Sequence, residues 1–431
     1  MNESEIPIRD VDKLVVPEVG RLHETGDPGD PYQLLDPDGL VVWAVAWYFA
    51  ELQAQGKPAT TLRSYGMDLL RWYRFLWALG ISWDRASRTE ARDFARWLQI
   101  ADKPVRVHWR HQRKGLTAED AAAKPRPTRR PAPGTPNPVT GKPTPGSKFA
   151  ATTRAHAKTA LRIFYDTHAE AGTGPILNPF PLDRSRRAAR ANGHHNPMDP
   201  FKNERMGRYR PKVPKRIPKR IPDELFNHLF ASLKYNRDRA LLAFWVSTGA
   251  RAEELLTCRQ KDPLPGEQLI GVIRKGSRVY QRLPASADAF VWLRLYQEEC
   301  RKFGIPQGRQ EALWWTLRRP WRPLLYPAAR AMFVRTNEVL GANWTLHDLR
   351  HTASYRMARD PEMPLTDVQW VLGHAQLSTT QIYLPASEDE VIASVLAHHA
   401  RQQALRDNPP APVPSPRYNP ESMHILFGGR P

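Results

Sequence analysis

Cysteine is scarce in this chain. Cys258 and Cys300 are the two present in 431 residues. That is too little for a disulfide framework and fits a reducing cytosol. No apolar run reaches the roughly 18 residues that a membrane span needs. The opening MNESEIPIRD has neither a basic stretch nor an apolar one, so it does not read as a secretory signal. No internal repeat recurs at solenoid periods. Acid is also short: 44 Asp and Glu face 64 Lys and Arg, a formal net charge of +20. The isoelectric point is about 10.1. Such an excess implies a polyanionic partner, nucleic acid first and an anionic membrane surface second. The membrane reading is the weaker one, because proline breaks the basic stretches and no basic amphipathic helix forms.

What is present is mostly helical pattern. Residues 1–37, polar and rich in Asp, Gly and Pro, read as an extended arm. In TLRSYGMDLLRWYRFLWALG, the positions Leu62, Tyr65, Leu69, Trp72, Leu76 and Leu79 trace one apolar face at helical period. Thr60 or Thr61 is the expected N-cap and Gly80 the stop. Arg63, Arg71 and Arg74 line the opposite face as candidate DNA contacts. A second helix is expected at Glu90–Leu98. A third runs through KFAATTRAHAKTALRIFYDTHAEAG, with Ala157, Leu161, Phe164 and His168 as its stripe. Prolines make 124–148 a basic loop inserted in this helical domain, 38–180. Residues 181–221 form a basic linker. Its Lys215, Arg216, Lys219 and Arg220 either are simply solvated or also lie along phosphates.

A second globular domain, 222–405, is expected to hold helices in PDELFNHLFASL, NRDRALLAFWVSTG and RAEELLTC. Then come a hairpin in LIGVIRKGSRVYQRLPA with its turn at Lys275-Gly276-Ser277, and helices at 286–302, 327–340, 345–358, 364–372 and 389–405. A Pro-rich tail, 406–431, follows.

Along this domain stand Arg251, Lys275, His347, Arg350, His374 and Tyr383. Together they suffice to break and rejoin a phosphodiester without a metal. Two guanidiniums hold the phosphate, a phenol attacks, and Lys and His move protons. Each also has a plainer reading. Arg251 and Glu254, three apart, make an ordinary helical ion pair, although Arg251 leaves the apolar run LLAFWVSTG at the edge of a core. Lys275 sits where many lysines merely solvate a turn. In TLHDLRHTASYRM, Thr345 and Asp348 form a capping box, which puts His347 and Arg350 on one face at the anion-attracting end of a helix. HDLRH resembles a zinc HExxH only superficially, since Asp replaces the catalytic Glu and no third ligand follows, so no metal is expected. Gly373 suits a helix stop that aims His374.

The order of TGARAEELL, Lys275, HDLRHT and LGHAQLSTTQIYL resembles the tyrosine recombinase (phage integrase) family, strongly over about 225–400. The helical segment 38–180 is similar, less closely, to that family's core-binding domain. The 124–148 insertion and the long linker depart from compact members. The resemblance implies a mainly α fold with a small β-sheet: an N-terminal helical core-binding (SAM-like) domain plus a mixed α/β catalytic domain. It also implies a site-specific recombinase or integrase. Tyr383 would be the nucleophile of a 3′-phosphotyrosine intermediate, with Arg251 and Arg350 clamping the phosphate. Lys275 would be the acid for the leaving oxygen, His347 the base for the phenol and His374 a donor to the phosphate. Glu254 would give structural support. No nucleotide cofactor is implied. The expected partners are double-stranded DNA carrying specific recombination sites and, through Val391, Ile392, Val395 and Leu396, other copies of the chain in a tetramer on synapsed DNA. The expected location is the bacterial cytoplasm, on the nucleoid. A type IB topoisomerase-like or resolvase-like nicking–closing enzyme and a catalytically inactive DNA-binding relative are the alternatives.

Overall fold

A computed structural model describes residues 9–104, 132, 134–144, 146–183, 207–213, 220–381 and 388–407. Tyr383, Lys215, Arg216 and Lys219 lie outside the described residues, as do residues 124–131, 133 and 145 of the 124–148 insertion. Two compact units result: Met1–Asn137 with Gly141–Arg216, and Pro138–Thr140 with Ile217–Pro431. Among the described residues, no helix is long and apolar enough to cross a membrane.

The first unit starts with strands β1 (Arg21–Glu24) and β2 (Tyr32–Leu35), an antiparallel pair. Helices α1 (Trp43–Ala54), α2 (Ala59–Leu79), α3 (Arg88–Ile100) and α4 (Ala151–Glu170) follow. The expected apolar stripes face inward: Leu62, Leu69, Trp72 and Leu76 of α2 and Ala157, Leu161, Phe164 and His168 of α4 are all buried. Trp72 Nε1 donates to Tyr165 Oη at 2.8 Å, which satisfies a polar atom inside an aromatic core. Gly80 ends α2 in the left-handed conformation (φ 64°), as expected of it. The N-cap is Pro58, however, and neither Thr60 nor Thr61.

Two expectations for this unit need correcting. Residues 9–36 are not an extended arm. Val11 and Leu34 are buried, and Arg9 Nη1 donates to Glu90 Oε1 at 2.7 Å. The Asp, Gly and Pro that suggested an arm are the turn chemistry of the hairpin: Gly29 N–H donates to Asp27 Oδ1 at 2.7 Å. The start of the supposed linker is also folded. Lys158 Nζ donates to the Tyr209 carbonyl at 2.6 Å, and Arg208 N–H to the Pro181 carbonyl at 2.9 Å. Burial lowers the Lys158 ammonium to about 8.

The second unit contains α5 (Asp223–Ala231), α6 (Asn236–Thr248), α7 (Ala252–Leu256) and a sheet of β3 (Pro263–Leu264), β4 (Leu269–Ile273) and β5 (Tyr280–Pro284). Then come α8 (Ala287–Phe303), α9 (Tyr326–Val339), α10 (Leu346–Ala358), α11 (Leu365–Leu372), α12 (Leu377–Gln381) and α13 (Glu388–Asp407). The sheet order is β3-β4-β5, with Ile270 opposite Leu283 and Ile273 opposite Tyr280. α6 is the core helix, packed on α8 and α10. Its Leu241, Leu242, Phe244 and Trp245 are buried together with Trp314, Tyr296 and Leu349. Cys258 and Cys300 are buried free thiols. The chain is therefore mainly α with small β-sheets.

Candidate active site

The site is assembled where α6, α10 and α11 end or begin. Gly249 closes α6 with φ 62°, and a Cβ there would lie 2.9 Å from Leu372 Cδ2. The chain can therefore turn tightly against α11 only with glycine. Two residues on, Arg251 caps α7. Its backbone N–H donates to Glu254 Oε2 and its Nη1 to Glu254 Oε1, both at 2.9 Å. The expected Arg251–Glu254 pair is thus both a helix cap and an ion pair, and it leaves the guanidinium partly exposed.

Glu254 is buried and gathers the site. Besides Arg251 it receives Arg274 Nη1 at 3.1 Å and the Lys275 backbone N–H at 3.0 Å. Burial alone would raise this carboxyl. The Lys275 and Arg251 hydrogen bonds and the Arg274 charge outweigh burial and hold it below its ordinary value. The expected hairpin and its turn at residues 275–277 are present. The Lys275 ammonium is exposed and donates to Glu253 Oε2 at 2.8 Å.

α10 begins with the expected box: Thr345 N–H and Oγ1 donate to Asp348 Oδ2 at 2.6 and 2.7 Å. Asn337 of α9 holds the preceding loop, donating to the Trp344 carbonyl at 2.9 Å and accepting from Trp344 N–H at 3.1 Å. His347 is then exposed in the first turn, its ring centroid 4.4 Å from that of His351. Arg350 points inward. It is 3% exposed and donates to the carbonyls of Gly249 and Leu372, both at 2.7 Å. Its Nη2 also lies 3.0 Å from His374 Nε2.

Gly373 ends α11 in the left-handed region (φ 62°), and His374 emerges from that turn as expected. A guanidinium has no lone pair, so Nε2 of His374 must accept from Arg350. Nδ1 then carries the proton toward Thr380 Oγ1, 2.9 Å away. Burial, followed by the charges of Arg350, Arg251, Arg274 and His347, pushes the imidazole down to about 4. Toward Arg350, His374 is therefore an acceptor at Nε2.

Glu254 thus gathers Arg251, Arg274 and the Lys275 backbone, Arg350 joins His374, and His347 is near enough to act on the His374 charge, whereas the Lys275 ammonium faces Glu253 and Tyr383 lies outside the described residues. Sequence reasoning missed Arg274 and Thr380. Arg274 had a legible signal: it continues the inward alternation of Ile270 and Val272 at period two. Thr380 is fully buried and had none beyond its place between His374 and Tyr383. Among the described residues, no group of three or more His, Cys, Asp or Glu could hold a metal ion.

The candidate DNA contacts fare unevenly. Arg63 is exposed. Arg74 is not a free contact: its Nε and Nη2 donate to the carbonyls of Val19 and Gly20 at 2.6 and 3.0 Å. Arg71 pairs with Asp68 and lies over the Phe149 ring, 5.2 Å from its centroid. Arg74 is taken up by the segment from 9 to 36 packed beside α2, and Arg71 by its own helix and Phe149. Arg220 is exposed but rests 4.3 Å from the Tyr355 ring centroid.

Residues 219–390 match the family model described as "Phage integrase family". Over 170 residues the chain is 30% identical to tyrosine recombinase XerC of Bacillus pumilus, covering 38% of this chain and 54% of that protein. Over 178 residues it is 31% identical to tyrosine recombinase XerC of Corynebacterium efficiens, covering 39% and 52%. The chain thus spans about half the length of the curated relatives it matches. A crystal structure of XerH site-specific recombinase bound to palindromic difH substrate, a post-cleavage complex, aligns with a TM-score of 0.50 at 14% identity. That alignment covers 82% of this chain and 84% of that one, and at this identity it is a likeness of fold. The segment from 219 to 390 belongs to the tyrosine recombinase, or phage integrase, family.

Proposed function

We propose that the chain is a site-specific DNA recombinase or integrase working through a covalent 3′-phosphotyrosine. The observation that carries this reading is the linkage of Arg251 and the Lys275 backbone through Glu254, beside the 3.0 Å Arg350–His374 contact. Tyr383 Oη bonds to phosphorus as the bond from phosphorus to O5′ breaks. His347 takes the phenol proton, and the Lys275 ammonium gives one to the leaving 5′-oxygen. Arg251 and Arg350 neutralise the charge gained by the non-bridging oxygens, where metal ions serve in many nucleases. Attack by a second 5′-hydroxyl reverses the step, so no nucleotide energy is consumed.

The substrate is double-stranded DNA with specific sites, approached in the bacterial cytoplasm. Two synapsed sites hold four copies of the chain. Ile392, Val395 and Leu396 of α13 are at least 46% exposed and supply an apolar face for that assembly. Nicked suicide duplexes test the chemistry. Wild type should trap a covalent adduct and Tyr383→Phe should not; an adduct with the Phe variant sinks the nucleophile assignment. Relaxation of a one-site plasmid without two-site exchange would move the chain to the nicking–closing class. Sedimentation on cognate DNA tests the tetramer, which fails if no higher-order complex forms.

A further inference from the structure

We infer that Arg274 is a positioning residue that couples the hairpin bearing Lys275 to the turn bearing His374. This rests on the recombinase reading above and adds a residue to it. The Lys275 side chain rides a tight turn, with Gly276 at φ 104° and Arg278 at φ 60°. Strand pairing within β4–β5 does not set how that turn sits against the phosphate pocket. Arg274, immediately before it, is 4% exposed and reaches three elements. Its Nη1 donates to Glu254 Oε2 of α7 at 3.1 Å, and its Nε to Gln281 Oε1 of β5 at 2.6 Å. Its Nη2 donates to the Trp370 carbonyl at 3.5 Å and to the Val371 carbonyl, in the last turn of α11. These are among the last carbonyls of the helix, where a cation is favoured; that of Trp370 also accepts from Gly373 N–H at 3.1 Å.

Two further observations point the same way. A Cβ on Gly373 would lie 3.2 Å from Arg274 Cζ and Nε, so the His374 turn is fitted against this guanidinium. Gln281 Nε2 adds a second strut, donating to the Trp370 carbonyl at 3.1 Å. A lysine would keep the charge at 274 but could not fork to three elements at once. Nε, Nη1 and Nη2 of Arg274 each donate to a protein acceptor on a different element, which suits a tie.

Leaving-group chemistry separates positioning from general damage. In cleavage the Tyr383 Oη–phosphorus bond forms, the bond from phosphorus to O5′ breaks, and O5′ takes a proton from Lys275. With sulfur at the bridging 5′ position, the leaving group is a thiolate that needs no acid. A variant whose defect is a misplaced Lys275 should therefore recover on the sulfur duplex, whereas a collapsed site should not.

The test uses the full chain on nicked suicide duplexes carrying the site at which wild type is trapped, with bridging 5′-oxygen or 5′-sulfur. Arg274→Gln and Lys275→Ala should each form adduct on the order of 10²-fold more slowly on oxygen and within a few-fold of wild type on sulfur. Gln281→Ala, which leaves the buried charge paired, should show the same selectivity to a smaller degree. Wild-type rates for Arg274→Gln on oxygen overturn the inference. So does equal slowing of Arg274→Gln on both duplexes when Gln281→Ala also shows no selectivity for sulfur. If Lys275→Ala is not recovered by sulfur, the Lys275 role and this inference fall together. If wild type forms no adduct on either duplex, the recombinase reading itself fails.

Discussion

Arg350 Nη2 and His374 Nε2 lie 3.0 Å apart although they come from different helix ends, and this contact makes Nε2 an acceptor. A ring nitrogen facing a guanidinium is held unprotonated. The His374 imidazole, normally near 6.5, is pushed down to about 4 by burial and then by Arg350 and the other cations. In the DNA-free protein it should stay neutral, protonated on Nδ1, from pH 8 to pH 5, as ¹⁵N histidine shifts can read. Because the folded value is depressed, the associated stability is complete above about 6.5 and is lost as pH falls toward 4. Phosphate or vanadate in the pocket should raise the midpoint. A midpoint near 6.5 without an anion would contradict the contact.

Thr380 Oγ1 accepts the other ring proton of His374 from a fully buried position. Thr380→Val should abolish the preference for the Nδ1–H form and slow covalent adduct formation on the order of tenfold. Thr380→Ser, which keeps the hydroxyl, should stay within a few-fold of wild type. Equal rates for Val and Ser would remove the hydroxyl from the argument.

Glu254 is the sole carboxylate touching both Arg251 and Arg274 among the hydrogen bonds described here. Glu254→Gln would keep the shape and leave Arg274 buried without its counter-charge. The loss should be about 3 kcal/mol, the usual scale for breaking a buried pair, seen as a lower denaturation midpoint with unchanged slope. A variant as stable as wild type would show that the neighbouring carbonyls suffice for Arg274.

Arg74 distinguishes a fold clamp from a DNA contact. Arg74→Ala releases the Val19 and Gly20 carbonyls and should destabilise the first unit by about 1–3 kcal/mol. It should leave the salt dependence of DNA affinity unchanged. A shallower salt slope would return Arg74 to the DNA interface.

Gly373→Ala places a Cβ 3.2 Å from Arg274 in a left-handed backbone (φ 62°). It should cost about 1–2 kcal/mol and shift the His374 resonances. Unchanged histidine spectra would show that the turn tolerates the methyl.

The sequence by itself determined the local features. The capping box at Thr345 and Asp348, the glycine stops at Gly249 and Gly373, the Lys275 turn and the α2 and α4 stripes obey rules that act within a few residues. They are written in residue type and spacing. The tertiary structure decided which charges face inward and what they touch. Arg74 resembled a solvent-facing base until the segment from 9 to 36 packed beside it. Arg350 finds its Gly249 acceptor 101 residues away, and Arg274 reaches Val371 across 97. Partners that far apart leave no periodicity to read, because a buried guanidinium is satisfied by whichever carbonyls the packed helix ends present.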